Sequence, residues 1–572
     1  MDFQRGIIFA GLAIVSYLMI LAWNNDYGQN PNTPVAATQN QTAQSSASPH
    51  STPEINFDEN RNQSDISNRQ TVNDSEFITP ESTQTPSVSA TGQTASGKII
   101  TVKTDTYKIG IDLRGGNIIS AALPHYKQTL HSKDPFYLLE SSAVRKYIME
   151  SGFYGKNGFD SVKNGGPAIF TSESDQYTLS ETENELIVDL VHHSKDGVKV
   201  TKRYTFYRDR YLINVDYILD NTSDQTWEGN FSGKIIRDNT GDPSQQNSMG
   251  MQSFLGMVLS SKEEPYEKIS FDDLREESVN RKVSGGWVAF IQHYFITAWI
   301  PNPETTHYYQ SKVRNNEYLM GFISPATVLQ PGEQTTVSVK AYIGPKIIDR
   351  LKKAADKLDL TVDYGWLFFI SYPLFLLLDF LYGFVGNWGV AIILVTVCVK
   401  AVFFHLSAAS YRSMAAMRKV APELTRLKEQ YGDDRQKMSQ AMMDLYRKEK
   451  INPLGGCLPI LVQMPVFIAL YWVLLESVQL RHAPFVFWIT DLSVKDHYFI
   501  LPLLMGATMF IQMALNPTPP DPIQAKVMKM MPVIFTIFFL WFPAGLVLYW
   551  LVNNILSISQ QWYITRQIEK GA

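Results

Sequence analysis

The chain has 572 residues with 51 basic and 55 acidic side chains, so its formal net charge is −4. Its slightly negative mean hydropathy averages a polar first two-thirds with a strongly apolar last third. This length accommodates one large soluble domain and a membrane domain. The only cysteines, Cys398 and Cys457, both fall in predicted spans, which excludes a disulfide framework. Nothing in the sequence indicates a cofactor, a metal or DNA as a partner.

The N-terminus predicts an uncleaved signal-anchor transmembrane helix at residues 1–23. An apolar run follows Arg5 and ends in Leu21-Ala22-Trp23-Asn24 without a good cleavage site, so we favour an anchor over a cleaved signal peptide. The basic end of the anchor should stay cytoplasmic. Residues 24–97 are rich in Asn, Gln, Ser, Thr and Pro and cannot bury enough apolar surface to order the chain. They predict a disordered polar linker.

Residues 98–346 predict a large antiparallel β-sandwich outside the membrane. Short apolar or alternating segments such as 98–103 and 212–218 are separated by turns that contain Gly and Asp, for example Lys195-Asp196-Gly197. This part of the chain has no nucleophile elbow, phosphate loop or metal-ligand cluster. The sequence therefore assigns it no chemistry.

Residues 347–385 predict a connecting helix and then a periplasmic interfacial amphipathic helix. The stretch 364–385 is long enough to span a membrane, but it holds Pro373 and Asp379. If it spanned, the loop 409–452 would end up outside, although that loop carries ten Lys or Arg against six Asp or Glu. Short basic loops stay cytoplasmic, so we favour a helix that lies flat on the outer surface.

A single lysine in the predicted span 386–408 is the most informative residue of the chain. Lys400 lies twelve residues from both Trp388 and Arg412, which is roughly 18 Å along a helix. A charge at the bilayer centre costs about 3 kcal/mol on insertion scales, so such a residue should face water or a partner. Thr396 precedes Lys400 by four residues and shares its helix face. Lys400 thus predicts a polar cavity; a buried helix of a soluble domain is the alternative.

Further predicted spans cover 453–476, 498–515, 526–541 and 544–563, followed by a cytoplasmic tail at 564–572. With the anchor and 386–408 they make six crossings that leave both termini cytoplasmic. The polar residues Gln463, Thr508, Gln512, Asn553 and Asn554 recur at middle depth in these spans. Each alone could join two helices, but together with Lys400 they favour a hydrophilic groove.

The loop 409–452 predicts an amphipathic cytoplasmic helical hairpin that is rich in methionine. Met414 and Met417 belong to the apolar stripe of its first helix, and Met438 and Met442 to that of its second. Methionine stripes serve promiscuous apolar partners, or they can simply pack two helices together, and the sequence leaves both readings open. The basic surface could meet anionic lipid headgroups or ribosomal RNA.

The order of several short motifs resembles that of the YidC/Oxa/Alb family of membrane protein insertases, in the Gram-negative form with a large periplasmic domain. The motifs that carry the resemblance are Val362-Asp363-Tyr364-Gly365-Trp366, Gly432-Asp433-Asp434, Asn452-Pro453-Leu454-Gly455-Gly456-Cys457-Leu458-Pro459, Gln463-Met464-Pro465-Val466-Phe467, Met531-Pro532-Val533-Ile534-Phe535 and Phe542-Pro543-Ala544-Gly545-Leu546. Each motif is modest alone, but their order and spacing are specific.

The resemblance implies an α-helical polytopic membrane protein with a five-helix insertase core and a periplasmic β-supersandwich domain. In the family, a groove open to cytoplasm and lipid holds a positive residue, usually arginine, and the matching position here is Lys400. Lysine keeps the charge but lacks the planar fork of arginine. The implied groove residues are Lys400, Thr396, Gln463, Asn553 and Asn554, and the implied client-contact surface holds Met464, Pro465, Tyr549 and Trp550.

The same resemblance implies a non-enzymatic insertase and chaperone of the bacterial inner membrane. Its expected partners are nascent membrane proteins, membrane lipids, components of the Sec translocon and the ribosome. A secondary transporter is the main alternative, but it would normally show internal repeats and broken helices, which we do not find. A periplasmic carbohydrate-active enzyme would instead need paired carboxylates within 98–345.

Overall fold

The computed structural model describes residues 98–245, 253–431, 434–449, 458–516 and 522–570. The predicted anchor 1–23, the predicted linker 24–97 and Cys457 lie outside these residues. The described chain falls into two compact units, one made of the residues between 417 and 449 and the other of the rest. Each unit is described by itself.

Nineteen strands occupy most of the described residues between 98 and 346, and they are followed by the helical part of the chain. They are β1 (Ile99–Lys103), β2 (Lys108–Asp112), β3 (Asn117–Lys127), β4 (Pro135–Ser141), β5 (Lys146–Tyr154), β6 (Thr171–Ser172), β7 (Gln176–Thr178), β8 (Glu185–His193), β9 (Val198–Tyr207), β10 (Leu212–Asn221), β11 (Trp227–Asp238), β12 (Gly256–Leu259), β13 (Glu267–Ile269), β14 (Asn280–Ser284), β15 (Val288–Ile291), β16 (Phe295–Ile300), β17 (Thr306–Arg314), β18 (Glu317–Leu329) and β19 (Gln334–Pro345).

The strands form two large sheets. The first has the order β14-β17-β18-β11-β5-β4-β3-β2-β1-β7 and the second the order β13-β12-β15-β16-β19-β10-β9-β8-β6. Neighbouring strands of the described residues pair antiparallel, apart from the parallel pair β1–β7. The predicted antiparallel β-domain is therefore confirmed.

The apolar core of this domain lies between the two sheets. Along β10 buried side chains alternate with half-buried ones, as expected for a strand with one face against a core. Polar side chains of the second sheet also reach across to the first. The hydroxyl of Tyr217 donates to the carbonyl of Ser151 over 2.8 Å, and Trp299 Nε1 donates to the carbonyl of Lys234 over 3.1 Å. These bonds satisfy polar atoms that the core would otherwise leave unpaired.

The described residues contain eleven α-helices, ten of them after the β-domain. They are α1 (Phe271–Glu276), α2 (Ile348–Ala354), α3 (Phe368–Val385), α4 (Trp388–Val402), α5 (Phe404–Lys419), α6 (Ala421–Tyr431), α7 (Arg435–Lys448), α8 (Leu458–Glu476), α9 (Ile500–Ala514), α10 (Pro522–Phe539) and α11 (Ala544–Lys570).

The helix lengths bear on how many segments could cross a membrane. Among the described residues, the segment Gly365–Val385, which contains α3, is long and apolar enough to span a membrane. Helices α4 and α5 are bent by 67° relative to each other, and they would add a second span if the pair is counted as one. The apolar part of α8, Val462–Glu476, and helix α9, Ile500–Ala514, are shorter. The six predicted crossings thus remain a prediction.

Helix α3 covers the stretch that we expect to lie flat on the membrane surface. Its buried residues Ser371, Phe375 and Leu378 share one face at helical spacing, and Ser371 donates to the carbonyl of Ala469 in α8 over 3.1 Å. The opposite side exposes large aromatic rings, including Phe380. One face is therefore packed on protein and the other is apolar, which suits lipid contact in either orientation.

The remaining long helices pack into a bundle. Helix α4 packs against α3 and α11, α8 packs against the same two helices, and α9 packs against α10 and α11. A β-carbon added to Gly506 of α9 would lie 2.0 Å from the hydroxyl oxygen of Thr536 in α10. Glycine at this position lets the two helices approach closely, as small residues do in membrane bundles.

The predicted hairpin contains two helices, α6 and α7, that pack against each other. Asp434 caps α7 by accepting hydrogen bonds from the backbone amides of Gln436 and Lys437, each over 3.1 Å. Met438 and Met442 are half-buried on α7. Met414 and Met417, however, lie on α5 rather than on the first hairpin helix.

Candidate functional site

The ammonium group of Lys400 contacts a neutral side chain of the last helix. Lys400 is half-buried near the end of α4, and its Nζ donates to Ser557 Oγ of α11 over 2.8 Å. Ser557 passes its own hydroxyl hydrogen to the carbonyl of Asn553 over 2.7 Å. In the described part of the chain no carboxylate pairs with Lys400. The charge therefore has a hydrogen-bond partner but no counter-ion there.

A bend in the chain follows Lys400 directly. Helix α4 ends at Val402 and α5 begins at Phe404, with an angle of 67° between them. The sequence predicted one continuous span over 386–408, so this change of direction differs from the expectation. Lys400 thus lies three residues before the break, near the point where α4 and α5 diverge.

The predicted groove residues fall into three settings. Thr396 is almost fully buried, and its hydroxyl donates to the carbonyl of Ile392 within α4 over 2.7 Å. Gln463 of α8 donates to the Tyr549 hydroxyl of α11 over 2.9 Å. Asn554 of α11 donates to Thr508 Oγ1 of α9 over 3.3 Å. Polar contacts therefore join α11 to both α8 and α9.

One face of α11 carries polar groups at four-residue spacing toward α4 and α8. Tyr549 contacts Gln463, Ser557 contacts Lys400, and Asn553 lies between them. The side-chain oxygen of Asn553 is buried and has no partner among the described residues. Buried polar atoms are nearly always hydrogen-bonded to protein or water, so this face is suited to hold water or a polar segment of another chain.

An aromatic cluster lies beside this face at the level of Tyr549. Trp550 lies 4.5 Å from Phe467 of α8 and 5.2 Å from Phe539 of α10, measured between ring centroids. Such pairs contribute about 0.5–1.5 kcal/mol each beyond the burial of area. The cluster packs three helices together on one side of the polar face.

The segment between α8 and α9 covers the ends of α4 and α11. The backbone amides of Ala544 and Gly545 donate to the carbonyls of Val494 and Leu492, over 2.7 and 2.9 Å. Asn387 Nδ2 donates to the carbonyl of Phe485 over 3.1 Å. These hydrogen bonds hold the segment over the starts of α4 and α11.

The predicted client-contact residues differ in exposure. Met464 is 39% exposed, and Pro465 and Trp550 are half-buried. Tyr549 is 1% exposed, so it supports Gln463 rather than forming an outer surface. A more extensive exposed apolar face, which the sequence analysis did not single out, lies on α10 and consists of Val527, Met530, Val533, Ile534, Ile537 and Phe538.

Ser557 is the functional candidate that sequence reasoning missed. A serine in an apolar span is unremarkable by itself, and its only signal is its position four residues after Asn553 and eight after Tyr549. Tyr411 of α5 is also buried and within hydrogen-bonding reach of Ser557. As to metals, the residues that the structure describes contain no group of three or more His, Cys, Asp or Glu side chains that could hold an ion.

Comparison with known proteins identifies the class of both halves of the chain. The model of the YidC periplasmic domain matches residues 99–377, and that of the 60Kd inner membrane protein matches residues 380–571. These matches define a bacterial inner-membrane protein with a periplasmic β-domain. The chain belongs to the YidC family of membrane protein insertases.

Two relatives show how closely the chain matches that family. A membrane protein insertase YidC from Marinobacter nauticus is 59% identical over 570 residues, covering 100% of this chain and 99% of the relative. One from Hahella chejuensis is 54% identical over 579 residues, covering 100% and 98%. A crystal structure described as an active YidC insertase with its first transmembrane domain resolved is 18% identical, with a TM-score of 0.36 and coverage of 82% and 95%. The comparisons do not support the transporter alternative.

Proposed function

We propose that this insertase moves nascent membrane proteins into the bilayer along a hydrophilic groove whose positive charge is Lys400. The observation that carries the proposal is the contact of Lys400 with the neutral Ser557 hydroxyl, without a carboxylate partner in the described residues. A cation paired with Asp or Glu would present no net charge to a client. Lys400 keeps its charge available for an acidic or polar tail.

The groove lowers the electrostatic cost of bringing that tail into the membrane. Two unit charges 4 Å apart attract by about 4 kcal/mol at an effective dielectric constant of 20. The polar face of Tyr549, Asn553 and Ser557 offers hydrogen bonds along the same path. The tail would enter from the open end near Lys400, since the segment before α9 covers the opposite end.

The driving force comes from the client itself. Burial of an apolar helix of about 20 residues in lipid is favourable without nucleotide hydrolysis. The half-exposed Met464 and the apolar face of α10 would guide this helix. A membrane potential adds about 2.3 kcal/mol per unit charge per 100 mV when negative charge moves outward.

The topology that fits this mechanism has six crossings, both termini in the cytoplasm and residues 98–346 in the periplasm. The contact between the β-domain and the end of α8 supports it, because Lys346 and Glu476 are joined by a 2.8 Å ion pair. Anionic lipids and the ribosome would meet the hairpin α6–α7 on the cytoplasmic side, and Sec translocon components would be partners in the membrane.

The test is insertion of a single-span client with an acidic tail into vesicles that contain the purified protein. Lys400→Arg should insert nearly as well as wild type, because the charge is kept. Lys400→Ala should insert about tenfold less, equivalent to about 1.4 kcal/mol of lost attraction. Equal insertion by Lys400→Ala and wild type would contradict the proposal.

A further inference from the structure

A buried ion pair connects the β-domain to the end of a membrane-domain helix. Glu476 is the last residue of α8, and its carboxylate accepts hydrogen bonds from Lys346 Nζ over 2.8 Å and from Ser253 Oγ over 2.5 Å. Lys346 directly follows β19. Both charged side chains are nearly inaccessible, at 2% and 3% exposure. Two full charges are thus paired inside the protein, where water does not screen them.

Two more side chains contact the end of α8 or the segment just beyond it. His293 Nε2 donates to the carbonyl of Leu475 over 2.9 Å, which satisfies one of the carbonyls that a helix end leaves without an intrahelical partner. Arg481, just beyond α8, donates to the carbonyls of Lys127 and Gln128 over 2.9 and 3.2 Å. Its guanidinium also lies over the ring of Phe136, 5.3 Å from the centroid.

A buried ion pair is better suited to fixing geometry than to adding stability. Replacing both partners with apolar side chains often costs nothing, whereas removing one partner leaves an uncompensated buried charge. The pair Lys346–Glu476 therefore favours one arrangement of the β-domain and α8 over alternatives in which the two charges separate. Apolar contacts alone would tolerate sliding more readily, because they are not directional.

We propose that Lys346 and Glu476 are positioning residues that lock the outer end of α8 to the β-domain. Gln463 lies thirteen residues before Glu476 on the same helix, which is about 20 Å of helix, so a tilt of about 10° at this end would displace Gln463 by roughly 3 Å. That shift would break its 2.9 Å hydrogen bond to Tyr549. The ion pair thereby holds Gln463 and Met464 in place, and its role in client contact rests on the proposed function.

The test combines a distance measurement with a client measurement in the full-length protein. Spin labels at Val328→Cys in the β-domain and Tyr498→Cys before α9, both exposed sites, would be placed in a Cys398→Ser and Cys457→Ser background. The variants are Lys346→Met, Glu476→Gln and the double variant Lys346→Met with Glu476→Leu. Lys146→Met is the control, because it breaks a 2.9 Å ion pair with Glu317 that lies within the β-domain.

We expect a narrow distribution of distances between the two spin labels in wild type. This distribution should broaden or shift in each single variant and narrow again in the double variant. Cross-linking of a client to a photoreactive group at position 464 should fall about tenfold in the single variants, in line with the large penalty of a lone buried charge. Lys146→Met should match wild type in both measurements.

Unchanged distance distributions in both single variants would overturn the inference, whatever the insertion assay shows. Broadened distributions with normal cross-linking from position 464 would also overturn it, because the ion pair would then not position Met464 for contact with a client. If wild type inserted no client at all, the proposed function would fail. The distance distributions would still decide whether the ion pair fixes α8 on the β-domain.

Discussion

At the level of single residues, the proposed attraction of a client depends on Lys400 and Ser557. A hydroxyl partner stabilises an ammonium group by a charge-assisted hydrogen bond and leaves its net charge intact. The 2.8 Å contact between Lys400 Nζ and Ser557 Oγ is of this kind. Under the proposed function, an acidic client would replace or share this contact without displacing a carboxylate of the described residues.

Changing Ser557 to Asp should convert this pair into an internal salt bridge. The new carboxylate would neutralise Lys400, so insertion of an acidic-tailed client should fall about tenfold, as in Lys400→Ala. Insertion into vesicles measures the effect. Ser559→Asp is the matched control, since Ser559 is exposed two residues further along α11 and bonds to the carbonyl of Ile555. Equal loss in both variants would show that any added acid on α11 is harmful.

At the level of elements, the close contact of α9 and α10 depends on one glycine. Gly506→Ala would bring a β-carbon to 2.0 Å from Thr536 Oγ1, so the helices must separate. We expect a loss of about 1–3 kcal/mol in the free energy of unfolding, the usual cost of overpacking. Gly383→Ala in α3 is the control, because nothing lies within 4 Å of its added β-carbon. Thermal unfolding in detergent measures both, and equal midpoints would refute the close-packing argument.

The methionines of α7 are expected to contact clients early. Replacing Met438 and Met442 with Gln should lower cross-linking of α7 to a nascent chain by about threefold, because two half-buried apolar side chains lose contact area. Gln436→Ser with Gln440→Ser, at the same spacing on exposed positions of α7, should leave cross-linking unchanged. If the methionine variant cross-linked to the nascent chain as well as wild type does, Met438 and Met442 would serve only to pack α6 on α7.

At the level of the whole molecule, sequence patterns predicted the β-domain and most helices, because alternation and apolar length are local signals. The bend after Lys400 was not predictable in this way, since 401–405 contains neither Gly nor Pro. The pair Lys346–Glu476 joins positions 130 residues apart, so only the tertiary fold brings them together. Lys400 was recognisable because a charge in an apolar span is rare, whereas Ser557 is ordinary in such a span.

Under the proposed function, the cation of Lys400 would act on a client tail at short range. The segment before α9 covers the starts of α4 and α11, and the polar face of α11 leads from there to Lys400. A tail held against this face would meet the cation where an effective dielectric constant below that of water strengthens attraction.

The most direct test of this account is insertion of one client whose translocated tail carries none, one, two or three Asp residues. Wild type and Lys400→Ala would be compared in the same vesicles. The account predicts equal insertion of the neutral tail and a wild-type advantage that grows with each Asp, toward about tenfold. An advantage of wild type that is the same for every tail would contradict the claim that Lys400 acts by attracting negative charge.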